Sequence, residues 1–144
     1  MVEFGQVYVD ASVIVAATLD QPGALQGVRW ASAVSSELIV AELLRTLDRL
    51  RLTASTPGAE LARLREEAER NLTRLDLVPI DRAVLRRAGG AFPVPVKTLD
   101  AIHLATALLW DEHAGEIVFL THDRQLANAA RACGLTVYPD SMRP

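Results

Sequence analysis

The chain has 144 residues, half of them hydrophobic, and a formal net charge of −3. That length holds one domain with a packed core, residues 1–144, and not two ordinary ones; the composition excludes a disordered chain, and no apolar run approaches the ~18 residues of a membrane helix. The acidic balance also argues against a nucleic-acid binder that relies on bulk positive charge, although Lys97 is the only lysine and arginine, the planar partner of phosphate and carboxylate, supplies the rest. In chain order, Val7–Val9 reads as a short strand ending at Asp10, and a helix follows from Ala11 to about Leu19. Gln21-Pro22-Gly23 breaks it, and the next residues, Ala24 to Ala31, read as a second short helix before a brief strand at Ala33–Ser35. From Glu37 to Arg51, Leu38, Ile39, Ala41, Leu43, Leu44, Leu47 and Leu50 recur at helical spacing.

Thr56-Pro57 predicts a capped helix start, and the charge-rich helix to about Leu72 reads as a solvated outer helix. Leu75–Ile80 is a strand whose Pro79 places its end at an edge. Asp81 predicts an N-cap for a short helix over 82–87, closed by Gly89-Gly90, and Ala91–Lys97 is a loop. The helix from about Leu99 to Asp111 is apolar on most sides and should lie against a core. Ile117–Thr121 is the most apolar, β-rich strand; His122-Asp123 leads into a helix to about Cys133, ended by Gly134, and Leu135–Tyr138 is a last strand. Cys133 is the only cysteine and reads as a small buried hydrophobe. Met1–Gln6 lacks the basic and apolar regions of a secretion signal, so a cytoplasmic protein is expected.

Alternating strands and helices predict an α/β fold with a parallel sheet covered on both faces, whose ligands bind beyond the carboxyl ends of the strands. Asp10 and Thr121-His122-Asp123 fall on that edge. Asp100 sits in the first turn of its helix, where free N–H groups favour a carboxylate even without a functional role. Glu42 lies among Leu38, Ile39, Ala41, Leu43 and Leu44, an apolar setting for an acid; a plain intrahelical pair with Arg45 or Arg49 is the alternative to a functional role. Asp10, Glu42, Asp100 and Asp123 come from four elements. Brought together, they would repel severely without a counter-ion, and Mg²⁺ or Mn²⁺ suits an all-carboxylate set. Asp10 and Asp100 are then expected to touch the metal, with Glu42 and Asp123 acting through water. Asp123 equally suits an N-cap; local capping is the commoner role for Ser12 and Thr121, with carboxylate or phosphate contact the alternative. His103 is expected to be a satisfied core residue and His122 a surface loop histidine.

Tyr8-Val9-Asp10-Ala11-Ser12, Ser36–Arg45, Leu99–Ala107 and Thr121-His122-Asp123 followed by Leu126 and Ala127 together resemble the PIN-domain ribonucleases, most closely the VapC-type toxins of bacterial toxin–antitoxin pairs. The resemblance implies a three-layer α/β/α sandwich and an acidic site of Asp10, Glu42, Asp100 and Asp123. It implies Mg²⁺- or Mn²⁺-dependent RNA cleavage, a homodimer, a small VapB-type antitoxin that blocks the site, and, among RNAs, transfer RNA first. Arg45, Arg49 and Arg51, with Arg63, Arg65, Arg70 and Arg74, could line an RNA-facing rim; for the second group a solvated helix balanced by its glutamates is an equal reading. The same fold could serve as a non-catalytic RNA- or protein-binding module. A haloacid-dehalogenase-type phosphatase would need an aspartate two residues after Asp10, where Ser12 stands.

Overall fold

The computed structural model describes residues 1–22 and 25–139. Strand β1 (Val2–Val9) leads into helix α1 (Ala11–Thr18), then β2 (Val28–Ser36), α2 (Leu38–Thr53), α3 (Gly58–Thr73), β3 (Asp76–Val78) and α4 (Arg82–Ala88). Helix α5 (Thr98–Ala114), β4 (Val118–Leu120), α6 (Arg124–Ala132) and β5 (Thr136–Tyr138) complete the order. The strands form one sheet in the order β3-β2-β1-β4-β5, with every neighbouring pair parallel. The chain therefore winds outward from β1 in both directions. Connections leave β1 and β4 on opposite sides, and a crevice opens beyond their carboxyl ends.

Strand alternation divides the core into two layers. Val7 and Val9 face Val13, Ile14, Ile39, Leu43, Leu47, Leu64 and Leu72, supplied by α1, α2 and α3. Tyr8, between them, faces Leu104, Ala107, Phe119, Leu126 and Ala130 on the α5 and α6 side. This is the expected three-layer α/β/α arrangement. As its apolarity predicts, α5 is buried at Ala101 and through the run His103–Ala107.

Three local expectations are corrected. The stretch read as a second short helix is instead the turn before β2 and its first half: Val28 pairs with Val2, Arg29 with Glu3 and Trp30 with Phe4. Gly27, at φ +77°, reverses the chain there, and strand pairing overrides the weak helical preference of these residues. The break at Gly23 and the helix start at Ala24 lie outside the described residues. Thr56 does not cap α3: its hydroxyl donates to Leu50 O (3.3 Å) at the end of α2, and Pro57 holds the cap position without a side-chain bond. Cys133 is half-buried rather than a core residue.

Asp81 does cap α4, accepting from Val84 N at 2.9 Å. Asp81→Ala should lower stability by about 1 kcal/mol, measured by urea unfolding. At the end of α6, Gly134 adopts φ +90° and the Leu135 N–H returns to Ala130 O at 3.0 Å, which closes the helix and turns the chain into β5.

Candidate active site

Asp10 follows β1 in the crevice between β1 and β4, and is only 5 % exposed. Its backbone N–H continues the sheet by donating to Leu120 O at 3.1 Å. Its Oδ2 accepts from Ser12 Oγ at 2.7 Å, from Thr121 Oγ1 at 2.9 Å and from the Ser12 N–H at 3.3 Å, the last being the N-cap of α1. The two hydroxyls stand 3.3 Å apart and accept in turn from the backbone of the next loop, Ser12 Oγ from His122 N (2.9 Å) and Thr121 Oγ1 from Asp123 N (3.0 Å). Ser12 and Thr121 thus exceed the local capping expected of them: they lock one oxygen of Asp10 and brace the loop after β4. Oδ1 makes no hydrogen bond to the described residues. It is not sealed from solvent, since Trp110 Nε1 is the one buried side-chain polar atom without a partner among them.

Asp100 lies in the first turn of α5 and is half-buried. Burial raises its carboxyl pKa above the usual range; the charges of Asp123, Asp10 and Glu42 push the same way, against His103. Asp123, Asp10 and Glu42 are thus near enough to Asp100 for their charges to bear on it. Asp123 is exposed and caps α6, with Oδ1 accepting from Leu126 N at 3.1 Å. It is an N-cap, as one expectation had it, and also part of the acidic group.

The intrahelical pairing suggested for Glu42 is not what the structure shows. Arg45 and Arg51 both turn to Asp48, at 2.9 and 3.0 Å. Glu42 Oε1 instead meets His103 Nε2 at 2.5 Å, across from α2 to α5. His103 is fully buried, as a core histidine should be, but one side of its ring serves an acid of the site. Burial pulls its pKa down, and the bond and charge of Glu42, with Asp10 and Asp100, more than reverse this, so it lies above the usual histidine value. Sequence reasoning missed this tie. The signal was there as two problems with one solution: a carboxylate on an apolar helix flank and an imidazole on a buried helix face, each needing a partner.

Two clefts flank the acids. One, about 600 Å³, runs between α1, α2 and the start of α5, lined by Val15, Leu38, Glu42, Arg45, Arg49 and Leu99. The other, about 470 Å³, lies beside Asp100 under the loop before α5, with Val94, Val96, Lys97, Gln125 and Asn128 along it. On α3, Arg63 and Arg70 pair with Glu60 and Glu67 of their own helix, which is the solvated-helix reading of that segment.

Carboxylate oxygens are the donors a hard divalent cation prefers. Among the described residues no three of His, Cys, Asp and Glu stand together as a ready cage. By donor chemistry, carboxylates such as Asp10 and Asp100 suit an ion held by one or two carboxylates and completed by water, as Mg²⁺ is held.

Residues 7–132 match the PIN domain family. Similar proteins include Ribonuclease VapC46 of Mycobacterium tuberculosis, 34% identical over 139 residues that cover 94% of this chain and 98% of that one. Ribonuclease VapC35 of the same organism is 33% identical over 76% of this chain and 72% of its own length. Ribonuclease VapC47 is 28% identical over 95% of this chain and 99% of its own. Among solved structures, PAE2754 from Pyrobaculum aerophilum superposes with a TM-score of 0.57 over 98% of this chain and 87% of that one; at 19% identity this is a likeness of fold alone. The sheet order and the match along most of the sequence lead to one conclusion: the chain belongs to the PIN-domain family, among its VapC-type ribonucleases.

Proposed function

We propose that the protein is a metal-dependent endoribonuclease toxin that hydrolyses RNA phosphodiester bonds and is neutralised by a small VapB-type antitoxin. What supports this reading is that Asp10, Glu42 and Asp123, from three other elements, are each near enough to Asp100 for their charges to act on its carboxyl. Asp10 and Asp100 would hold Mg²⁺, or Mn²⁺ in its place. When bound, the ion supplies an activated water and neutralises the charge that grows on the phosphorus centre. Asp10 contributes a fixed carboxylate: three donors grip Oδ2 and leave Oδ1 for the cation. Asp100, whose ionised form is held back by burial and neighbouring acids, would be favoured in that form by a cation. Glu42 and Asp123 would orient the attacking water.

The cleft beside Glu42 combines apolar walls at Val15, Leu38 and Leu99 with an acid at its edge. It would suit an antitoxin segment that lays apolar side chains along it and extends an arginine to the carboxylates. RNA, with transfer RNA favoured, would enter along the same edge. A homodimer and a cytoplasmic location complete the reading; no helix among the described residues is long and apolar enough to cross a membrane.

The direct experiment is cleavage of bulk transfer RNA by the wild-type protein with Mg²⁺ or Mn²⁺, after EDTA, and after the metal is restored. Cleavage lost to EDTA and regained with metal supports the reading; RNA binding with no products under any metal would mark a binding module instead. Arg49 lines the cleft with no ion-pair partner among the described residues. Arg49→Ala should weaken RNA binding and reduce the salt dependence of log K by about one phosphate contact, read from binding at several salt concentrations.

A further inference from the structure

We propose that His103 is a positioning residue for the nuclease reaction: through a buried chain of hydrogen bonds it fixes the Glu42 carboxylate to the core of the sheet. The proposal rests on the nuclease reading above and adds to it a residue outside the acidic set. The chain begins at the carboxyl end of β2, where the Ser36 N–H donates to Tyr8 Oη at 3.1 Å. The Tyr8 hydroxyl meets His103 Nδ1 at 2.7 Å, and His103 Nε2 meets Glu42 Oε1 at 2.5 Å. Four elements, β2, β1, α5 and α2, are joined in one line. Ser36, Tyr8 and His103 are fully buried, and only the Glu42 side chain, 22 % exposed, reaches the site.

The proton positions follow from the partners. A carboxylate oxygen only accepts, so Nε2 must carry the hydrogen shared with Glu42. In the neutral ring Nδ1 then accepts from the Tyr8 hydroxyl, whose oxygen is free to accept from Ser36 N. Every polar atom along the line is satisfied, and Nε2–H donates to Glu42 in either charge state of the ring. Tyr8 is itself clamped: its ring stacks on Phe119 at 5.2 Å and 8°, and meets the imidazole edge-on at 5.9 Å.

Glu42 projects from α2, whose flanking Leu44 and Arg45 are exposed, and it makes no hydrogen bond to the described residues besides the one from His103. Without that bond its carboxylate would sample several rotamers. With it, one oxygen is pinned and the other is presented in a single orientation. Hydrogen bonds that orient a working carboxylate in this way typically account for about 10- to 100-fold in activity.

The test is steady-state cleavage of bulk transfer RNA with Mg²⁺ by the wild-type protein, His103→Leu, His103→Gln and Tyr8→Phe. Each variant is first checked for folding by circular dichroism. His103→Leu fills the space and removes the donor, so kcat should fall about 10- to 100-fold with KM unchanged. His103→Gln restores an N–H near Nε2 and should recover most of the rate. Tyr8→Phe removes the bonds to His103 Nδ1 and from Ser36 N but leaves Nε2 on Glu42, and should show a smaller loss, again in kcat; it and His103→Gln carry the test if His103→Leu does not fold. A folded His103→Leu that cuts at the wild-type rate, or a His103→Gln no better than Leu, overturns the proposal. A second readout is the His103 Nε2–H proton resonance of the metal-free protein. It should lie far downfield and should move in Glu42→Ala. An intact resonance in a wild-type protein that cuts no RNA overturns the nuclease reading and the reaction this tie serves. An absent resonance in a protein that does cut RNA overturns the tie alone.

Discussion

Asp100→Asn is expected to abolish RNA cleavage and, at the same time, to raise the melting temperature of the metal-free protein at neutral pH. Both effects have one cause. Burial, reinforced by Asp123, Asp10 and Glu42, raises the Asp100 pKa, so the folded protein binds the proton more tightly than the unfolded chain does. The sign follows directly. The contribution favours folding fully below the ordinary carboxylate pKa of about 4 and is lost as pH rises through the higher folded value. At pH 7 the ionised acid is a burden on the empty fold, and the neutral amide of nearly the same size removes it. The stability gain should therefore disappear as pH falls to about 4, where wild type and variant converge. With Mg²⁺ the order reverses. An ion at 100 times its dissociation constant stabilises the wild type by about 2.7 kcal/mol, and the variant much less. Thermal melting across pH, with and without metal, checks the stability half; cleavage of bulk transfer RNA checks the other. A variant that cuts RNA as the wild type does, or melts lower than it without metal at pH 7, contradicts the role given to Asp100.

Removing the two hydroxyls that grip Asp10 should be the next most damaging change. Ser12→Ala and Thr121→Val each delete a donor to the same Oδ2 and leave a backbone N–H, of His122 or Asp123, without its acceptor. These N–H groups are only partly buried, so stranding one costs about 1 kcal/mol of stability, the low end of the range for an unsatisfied donor. The larger effect is on geometry: Asp10 gains freedom at the oxygen that sets the direction of the other. Each substitution should lower kcat/KM about 10- to 100-fold. Because the hydroxyls share one acceptor and stand 3.3 Å apart, their effects should not add; the double variant should show a coupling of about 0.5–3 kcal/mol. A double-mutant cycle on kcat/KM measures it, and strict additivity would mean that the two act on different atoms.

Much of the architecture could be read from the chain because packing and propensity agree there. The α5 segment is apolar on most sides and is buried, and Asp81 precedes a helix and caps it. The region before β2 misled because the outer halves of β1 and β2 are exposed and mixed in character. Glu3, Gly5, Arg29 and Ser32 carry no strand signal of their own, and only their parallel pairing, set by residues far apart in sequence, makes them strands. Asp10 and Asp123 were legible at strand ends, where topology puts them on one edge; Glu42 stood out only as an acid on an apolar helix flank and Asp100 as an acid in a first helical turn. Their hydrogen-bond partners were not. Thr121 is 111 residues from Asp10, and His103 is 61 from Glu42; local sequence cannot show which hydroxyl or imidazole the fold will bring to which acid.

Manganese binding, followed by calorimetry on the wild type, Asp10→Asn and Asp100→Asn, asks most directly whether aspartates from the two ends of the chain serve one ion. The wild type should bind Mn²⁺, and each single substitution should weaken that binding about tenfold or more. Undiminished affinity in either variant would contradict a shared ion.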